Sequence, residues 1–276
     1  MVLQPGEPVR CALINRAGLT QSLPYLSELV ARSVHANADA QSFKQQALQL
    51  AAMMVSTWPR RTHYYGVDPN PKTMLGLLQQ LADGALLERF LVEVVAQGSY
   101  GKADNPALLA ACQLLPTARA IELLAQITVA NKDVALAGCC GLLHASVGLA
   151  GDAALLAKLL PAATSLCETL PDGTAKPGEP AQAAIADPEM VVDLLRALGR
   201  LDAVLGSHLA ASTGRRLLAA PEVYPVDGLV VPVALQMVGE AGAKLLHQAS
   251  LEHLKNRTAQ ALAAPTDWRR DSAIAC

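Results

Sequence analysis

An all-α fold, built as helix hairpins stacked into a solenoid, is what this sequence predicts. Three observations carry the expectation. The composition is rich in alanine and leucine: 52% of 276 residues are hydrophobic, yet only 3% are aromatic and 17% charged. Few bulky β-formers and many small side chains favour helices packed closely on helices. Apolar residues recur at helical period along most of the chain, and no comparable run alternates with period two. A similar helix-start signature returns several times, at intervals suited to one hairpin each.

Taken in order, residues 1–18 are expected to be irregular. The opening MVLQPGEPVR lacks the basic start and apolar core of a secretory signal. Two helices follow, from Ser22 to about Ala36 and from about Asp39 to Thr57, forming a first hairpin. Trp58-Pro59 closes the second, because the residue before a proline is pushed out of helical geometry. Then Met74, Leu77, Leu78 and Leu81 follow the i, i+3, i+4, i+7 rule, as do Leu87, Phe90, Leu91 and Val94. Leu108, Ala111, Cys112 and Leu115 continue it, and Val191, Leu194, Leu195 and Leu198 take it up again. Leu201, Val204, Leu205, His208 and Leu209 extend that last stripe. Helix breaks are expected at Pro116, Pro161 and Pro232.

The starts share a mechanism. Asn70-Pro71, Asn105-Pro106 and Asp187-Pro188 each place a capping side chain before a proline, whose missing N–H is not needed in the first turn. Asp152 and Asp227 are expected to cap without the proline. Positions 70, 105, 152, 187 and 227 are spaced by 35, 47, 35 and 40 residues. Each interval is expected to hold two helices, the size of a helix-hairpin repeat. Residues 19–170 are read as an N-terminal stack and 187–264 as a C-terminal one. Between them lies the Pro/Gly-rich loop 171–186, and 265–276 form a tail at a fragment boundary. Over residues 70–264 the pattern resembles degenerate HEAT/armadillo repeats, which implies stacked antiparallel hairpins that present a binding surface.

Charge and cysteine usage bound the function. With 24 acidic against 22 basic residues, nothing steers the chain toward nucleic acid or anionic lipid. The six cysteines, at 11, 112, 139, 140, 167 and 276, form no C-x-x-C pair. The adjacent Cys139-Cys140 suits an ordinary disulfide poorly, so a reducing, cytoplasmic setting is expected. Val134–Gly151 runs 18 residues without Asp, Glu, Lys or Arg. It barely reaches spanning length and is read as a buried helix rather than a membrane span.

Catalytic signatures are missing. The nearest approach to a G-x-S-x-G elbow is His144-Ala-Ser146-Val-Gly148, which falls inside a helical pattern. There is no phosphate-binding G-x-x-x-x-G-K-[ST] and no H-E-x-x-H. His144 and His208 lie on apolar stripes and are read as hydrogen-bonded core histidines. His247 and His253 point apart on one helix. Cys139-Cys140 has no adjoining base or helix start to activate a thiol, so it is read as small-side-chain packing. No cofactor or metal is expected.

The binding candidate is the segment WPRRTHYYGVDPNP. It gathers Trp58, Arg60, Arg61, His63, Tyr64 and Tyr65 in a chain with nine aromatic residues. These rings either pack over the end of the helical stack or contact a partner. Tyrosine and tryptophan combine large contact area with a polar tip, a common interface composition, and in the second role the expected partner is a protein or peptide segment. Arginine pairs at 60–61, 215–216 and 269–270 either line a groove or complement helix C-termini. The second role fits Arg60-Arg61 well and Arg215-Arg216 poorly.

The final stretch, PTDWRRDSAIAC, and the pairs Trp58-Pro59 and Tyr65-Gly66 resemble the helical C-terminal regions of large bacterial 2-oxoglutarate/Fe(II) oxygenase-type proteins. The resemblance implies an accessory or substrate-positioning region. An iron site of that family would need H-x-[DE], whereas the residues two after each histidine are Asn37, Tyr65, Ser146, Ala210, Ala249 and Lys255. No catalytic residue carries over.

Overall fold

The computed structural model describes residues 71–97, 100–133, 135–171 and 187–263, with helical positions 45, 48–49, 51–52 and 55–56. Among the described residues the regular elements are all helical and no strand occurs. No described helix is long and apolar enough to cross a membrane. The chain divides into two compact units, Met1–Leu142 and Leu143–Cys276.

In the first unit, α1 (Pro71–Leu81) opens on its proline and buries Met74, Leu75, Leu77, Leu78 and Leu81 on one face. A tight turn at Ala82, which sits at φ 52°, reverses the chain into α2 (Gly84–Gln97). The side chain of Asp83 starts that helix by accepting from Leu86 N at 2.9 Å, a cap the periodicity alone does not reveal. α2 buries Leu86, Leu87, Phe90, Leu91 and Val94. A 3-10 turn (Lys102–Asp104) leads into α3 (Asn105–Cys112). Pro116 then breaks the chain as expected, directly before α4 (Thr117–Asn131). α5 (Leu136–Leu149) crosses the boundary between the units. Its uncharged sequence, with Cys139, Cys140, Leu142, Leu143, Ser146 and Val147 buried, is that of a helix covered on several sides.

Two kinds of packing join these helices. α1 packs on α2 and on α3, while α2 packs on α4. Buried Ala51 and Val55 join the same core. At its rim Arg119 donates to Glu88 Oε1, at 2.6 Å from Nη2 and 2.9 Å from Nε, and to Glu122 at 3.2 Å. These groups are more than a third exposed, so the bridges orient α4 on α2 and add little stability.

The second unit holds α6 (Ala153–Ala157), α7 (Leu160–Thr169), α8 (Pro188–Leu205), α9 (Leu209–Leu218), α10 (Val230–Val238) and α11 (Glu240–Ala263). Asp152 caps α6 through Leu155 N at 2.8 Å, and Asp187 caps α8 through Glu189 N at 3.1 Å, both as predicted. α8 packs on α6, α7, α9 and α10; α9 packs on α10 and α11; and α10 packs on α11. Glycine lets α9 approach its neighbours. A Cβ at Gly214 would stand 2.9 Å from Val238 Cγ2 and 3.2 Å from Ala234 O.

Several expectations are corrected here. Asn105 is no cap; it lies inside α3 and its side chain reaches elsewhere. Asp227 caps nothing, because α10 begins at Val230 with Leu229 before it. Pro232 sits in that first turn, where its absent N–H does no harm. The stripe Leu201–Leu209 breaks at Gly206, a left-handed helix end at φ 66°. Val204, in the last turn of α8, is 52% exposed, and His208 is an exposed residue at the start of α9. Arg215 and Arg216 occupy the last turn of α9 after all, where they favour the negative end of its dipole. The interval from 105 to 152 holds three helices, α3 to α5.

Candidate functional site

The sequence candidates Trp58, Arg60, Arg61, His63, Tyr64 and Tyr65 lie outside the described residues. So do Arg269-Arg270 and the segments that carry the oxygenase-type resemblance. Immediately before them the chain enters the wall of a shallow groove of about 410 Å³, lined by Val55, Ser56, Ala85, Glu88, Arg89, Val92 and Glu93. Its floor is apolar, and its rim is formed by α2 side chains of both charges. The Ser56 hydroxyl and the carboxylates of Glu88 and Glu93 share this lining. Periodicity could not find this groove: it marks which residues of α2 point inward, whereas the groove lies on the opposite side.

The most connected polar cluster is structural. The hydroxyl of Tyr100 donates to Asn105 Oδ1, and Asn105 Nδ2 donates to Gly138 O at 3.2 Å. Asp104 accepts from Gly101 N at 3.1 Å. Burial pushes the Tyr100 hydroxyl well above the ordinary phenol range, with Asp104 adding to the effect. Burial likewise raises the Asp104 carboxyl, partly opposed by backbone hydrogen bonds from Gly101 and Lys72. The cluster fastens the start of α5 to the 3-10 turn.

The thiols are closed off. Burial pushes Cys112 and Cys139 up to about 12. It also raises Cys167, against the lowering influence of the Thr213 hydrogen bond and Arg216. A thiol kept protonated is neither nucleophile nor metal ligand. Cys139 and Cys140 are fully buried, in line with the packing role predicted for them. Among the described residues no group of three His, Cys, Asp or Glu side chains could hold a metal ion.

In the second unit, Asp202 on α8 organises the turn into α9. Its Oδ1 accepts from the Ser207 hydroxyl and from Leu209 N at 3.0 Å, and its Oδ2 accepts from Ala210 N at 2.8 Å. Arg216 Nη2 donates to Cys167 O in the last turn of α7, a carbonyl that also accepts from Leu170 N at 3.3 Å. Tyr224 OH donates to Pro171 O at 3.1 Å. His144 is half-buried with Nδ1 unpartnered, so neither the full burial expected of a core histidine nor a bond at that atom is found. Ser146 is buried within α5, which places the His144-Ala-Ser146 stretch inside a helix as read. No protein family, curated protein or solved structure matches this chain.

Proposed function

We propose that this chain is a helical-repeat module that holds a protein or peptide segment, acting in the cytoplasm by shape and surface rather than by bond-making. The observation that carries this reading is pair-on-pair packing. α1 meets α3 while α2 meets α4; in the other unit α8 meets α10 while α9 meets α11. Helices that pack on their second neighbours in this way suit the stacking that HEAT-like repeats use to build extended binding faces. The groove on α2 supports it with an accessible, mixed-charge surface two positions before Trp58. Near-neutral net charge favours protein over nucleic acid as partner.

The test is capture from the native host with a photoreactive residue at Val92, which is exposed beside the groove, followed by titration of the purified partner. Saturable binding is expected, and Trp58→Ala or Tyr65→Ala should weaken it. Turnover of a small molecule by the purified chain, abolished by His63→Ala and with no saturable partner, would overturn the proposal in favour of an enzyme or an enzyme's accessory region.

A further inference from the structure

The last helix is longer than anything it packs against. α11 runs 24 residues, about 36 Å at 1.5 Å per residue. α10 runs 9, about 14 Å by the same rise. The packed stripe of α11 is Gly242, Leu245, Leu246, Ala249 and Ser250, and of residues 251–260 all but His253 are exposed. What reaches that half is Glu222, whose Oε2 stands 3.9 Å from His253 Nδ1. A solvated helix usually supports itself with i, i+4 ion pairs, and none joins Glu252, Lys255 or Arg257 among the described residues. Thr258 only bonds back to Leu254 O at 2.8 Å, which does not strengthen a helix. An unpacked stretch of this length is marginal in water.

The exposed side has a pattern. At 3.6 residues per turn, Lys244, His247, Leu251, Leu254, Lys255 and Thr258 fall within an arc of about 100°. Leu251 and Leu254 are 46% and 57% exposed. From Lys244 onward the arc contains no carboxylate: Glu252 stands about 60° beyond its edge, and Glu240 shares the line only at the helix start. We propose that this arc docks an amphipathic partner helix whose apolar i, i+3/i+4 stripe is flanked by acidic residues. The leucines supply packing area, while Lys244 and Lys255 select glutamate or aspartate on the incoming helix and repel a basic one. The inference rests on the repeat-module reading and gives it a surface and a partner class.

The test is fluorescence anisotropy of a labelled probe peptide of about 20 residues, with leucine at helical period and glutamate beside it, titrated with the full chain. Saturable binding is expected. Leu251→Ser with Leu254→Ser should weaken it about tenfold. Lys244→Glu with Lys255→Glu should weaken it as much and shift preference to a lysine-flanked version of the peptide. All four side chains are exposed, so circular dichroism should find the variants folded. No saturation, equal binding by the leucine variant, or unchanged preference after charge reversal would overturn the proposal. Binding to phosphatidylserine vesicles without binding to the peptide would assign the face to lipid and overturn it equally. Failure here leaves partner capture at the α2 groove intact; only the failure of both removes the module reading.

Discussion

Replacing Gly138 by alanine should destabilise the first unit by about 2 kcal/mol, although alanine is the better helix former. A Cβ at Gly138 would stand 2.7 Å from Lys102 N, 2.9 Å from Gly101 C and 3.2 Å from Lys102 Cα. All three atoms are backbone, so no rotamer change relieves the clash and α5 must move off the 3-10 turn. Overpacking of this kind costs about 1–3 kcal/mol. The movement also stretches the Asn105 Nδ2 bond to Gly138 O, 3.2 Å long in the native structure, a loss of about 1 kcal/mol. Alanine's propensity returns about 1 kcal/mol. Gly76 in α1 is the control: nothing lies within 4 Å of its Cβ position, so Gly76→Ala should stabilise by about 0.5–1 kcal/mol. Urea titration followed by circular dichroism measures both, and amide exchange over residues 71–133 localises the change. A Gly138→Ala variant as stable as its parent would refute the close approach of α5 to Gly101-Lys102.

Asp202→Ala should shift the urea midpoint by an amount equal to about 1–2 kcal/mol, because two backbone N–H groups of α9 lose their acceptor; Asp202→Asn should recover part of it. Tyr100→Phe should cost about 1 kcal/mol by removing the hydroxyl that Asn105 accepts. Cys112, Cys139 and Cys140 should resist iodoacetamide at pH 8 in the folded protein and react once urea exposes them, as read by mass spectrometry of their peptides. Stability should fall with rising pH above the ordinary thiol range. Cys112 and Cys139 have folded values pushed up to about 12, so the unfolded chain releases protons that the folded one keeps. Their contribution is complete below the unfolded value and is lost as pH climbs toward the folded one. Each thiol should cost roughly 1 kcal/mol between pH 8 and 10, and Cys112→Ala should flatten that slope.

Much of the helical content was legible because burial follows period. Met74, Leu77, Leu78 and Leu81 are buried on α1, and Leu87, Phe90, Leu91 and Val94 on α2, as their spacing predicts. Capping logic succeeded at Asp152 and Asp187, whose carboxylates accept from the amides of Leu155 and Glu189 in the helices they precede. It failed at Asn105, whose amide finds Tyr100 and Gly138 instead, since a local signature cannot register a partner 33 residues away. The stripe through Val204 and His208 failed because Val204 faces outward in the last turn of α8 and Gly206 ends that helix before His208. The cap from Asp202 is not legible in a local signature because it lies within α8 and serves the start of α9. The predicted site at Trp58–Tyr65 rests on aromatic density, a signal of surface chemistry that carries no information about which groove lies next to it.

The brace from Asn105 to Gly138 has a consequence for how this chain comes to be folded. α3 has only eight residues, too few to persist alone, and no side chain bonds its first amides. Its start is completed by a carbonyl that leaves the ribosome some 33 residues later. Until then α3 can rest on α1, made earlier, so during synthesis the lock on its start is added last, when α5 closes onto a turn made long before it.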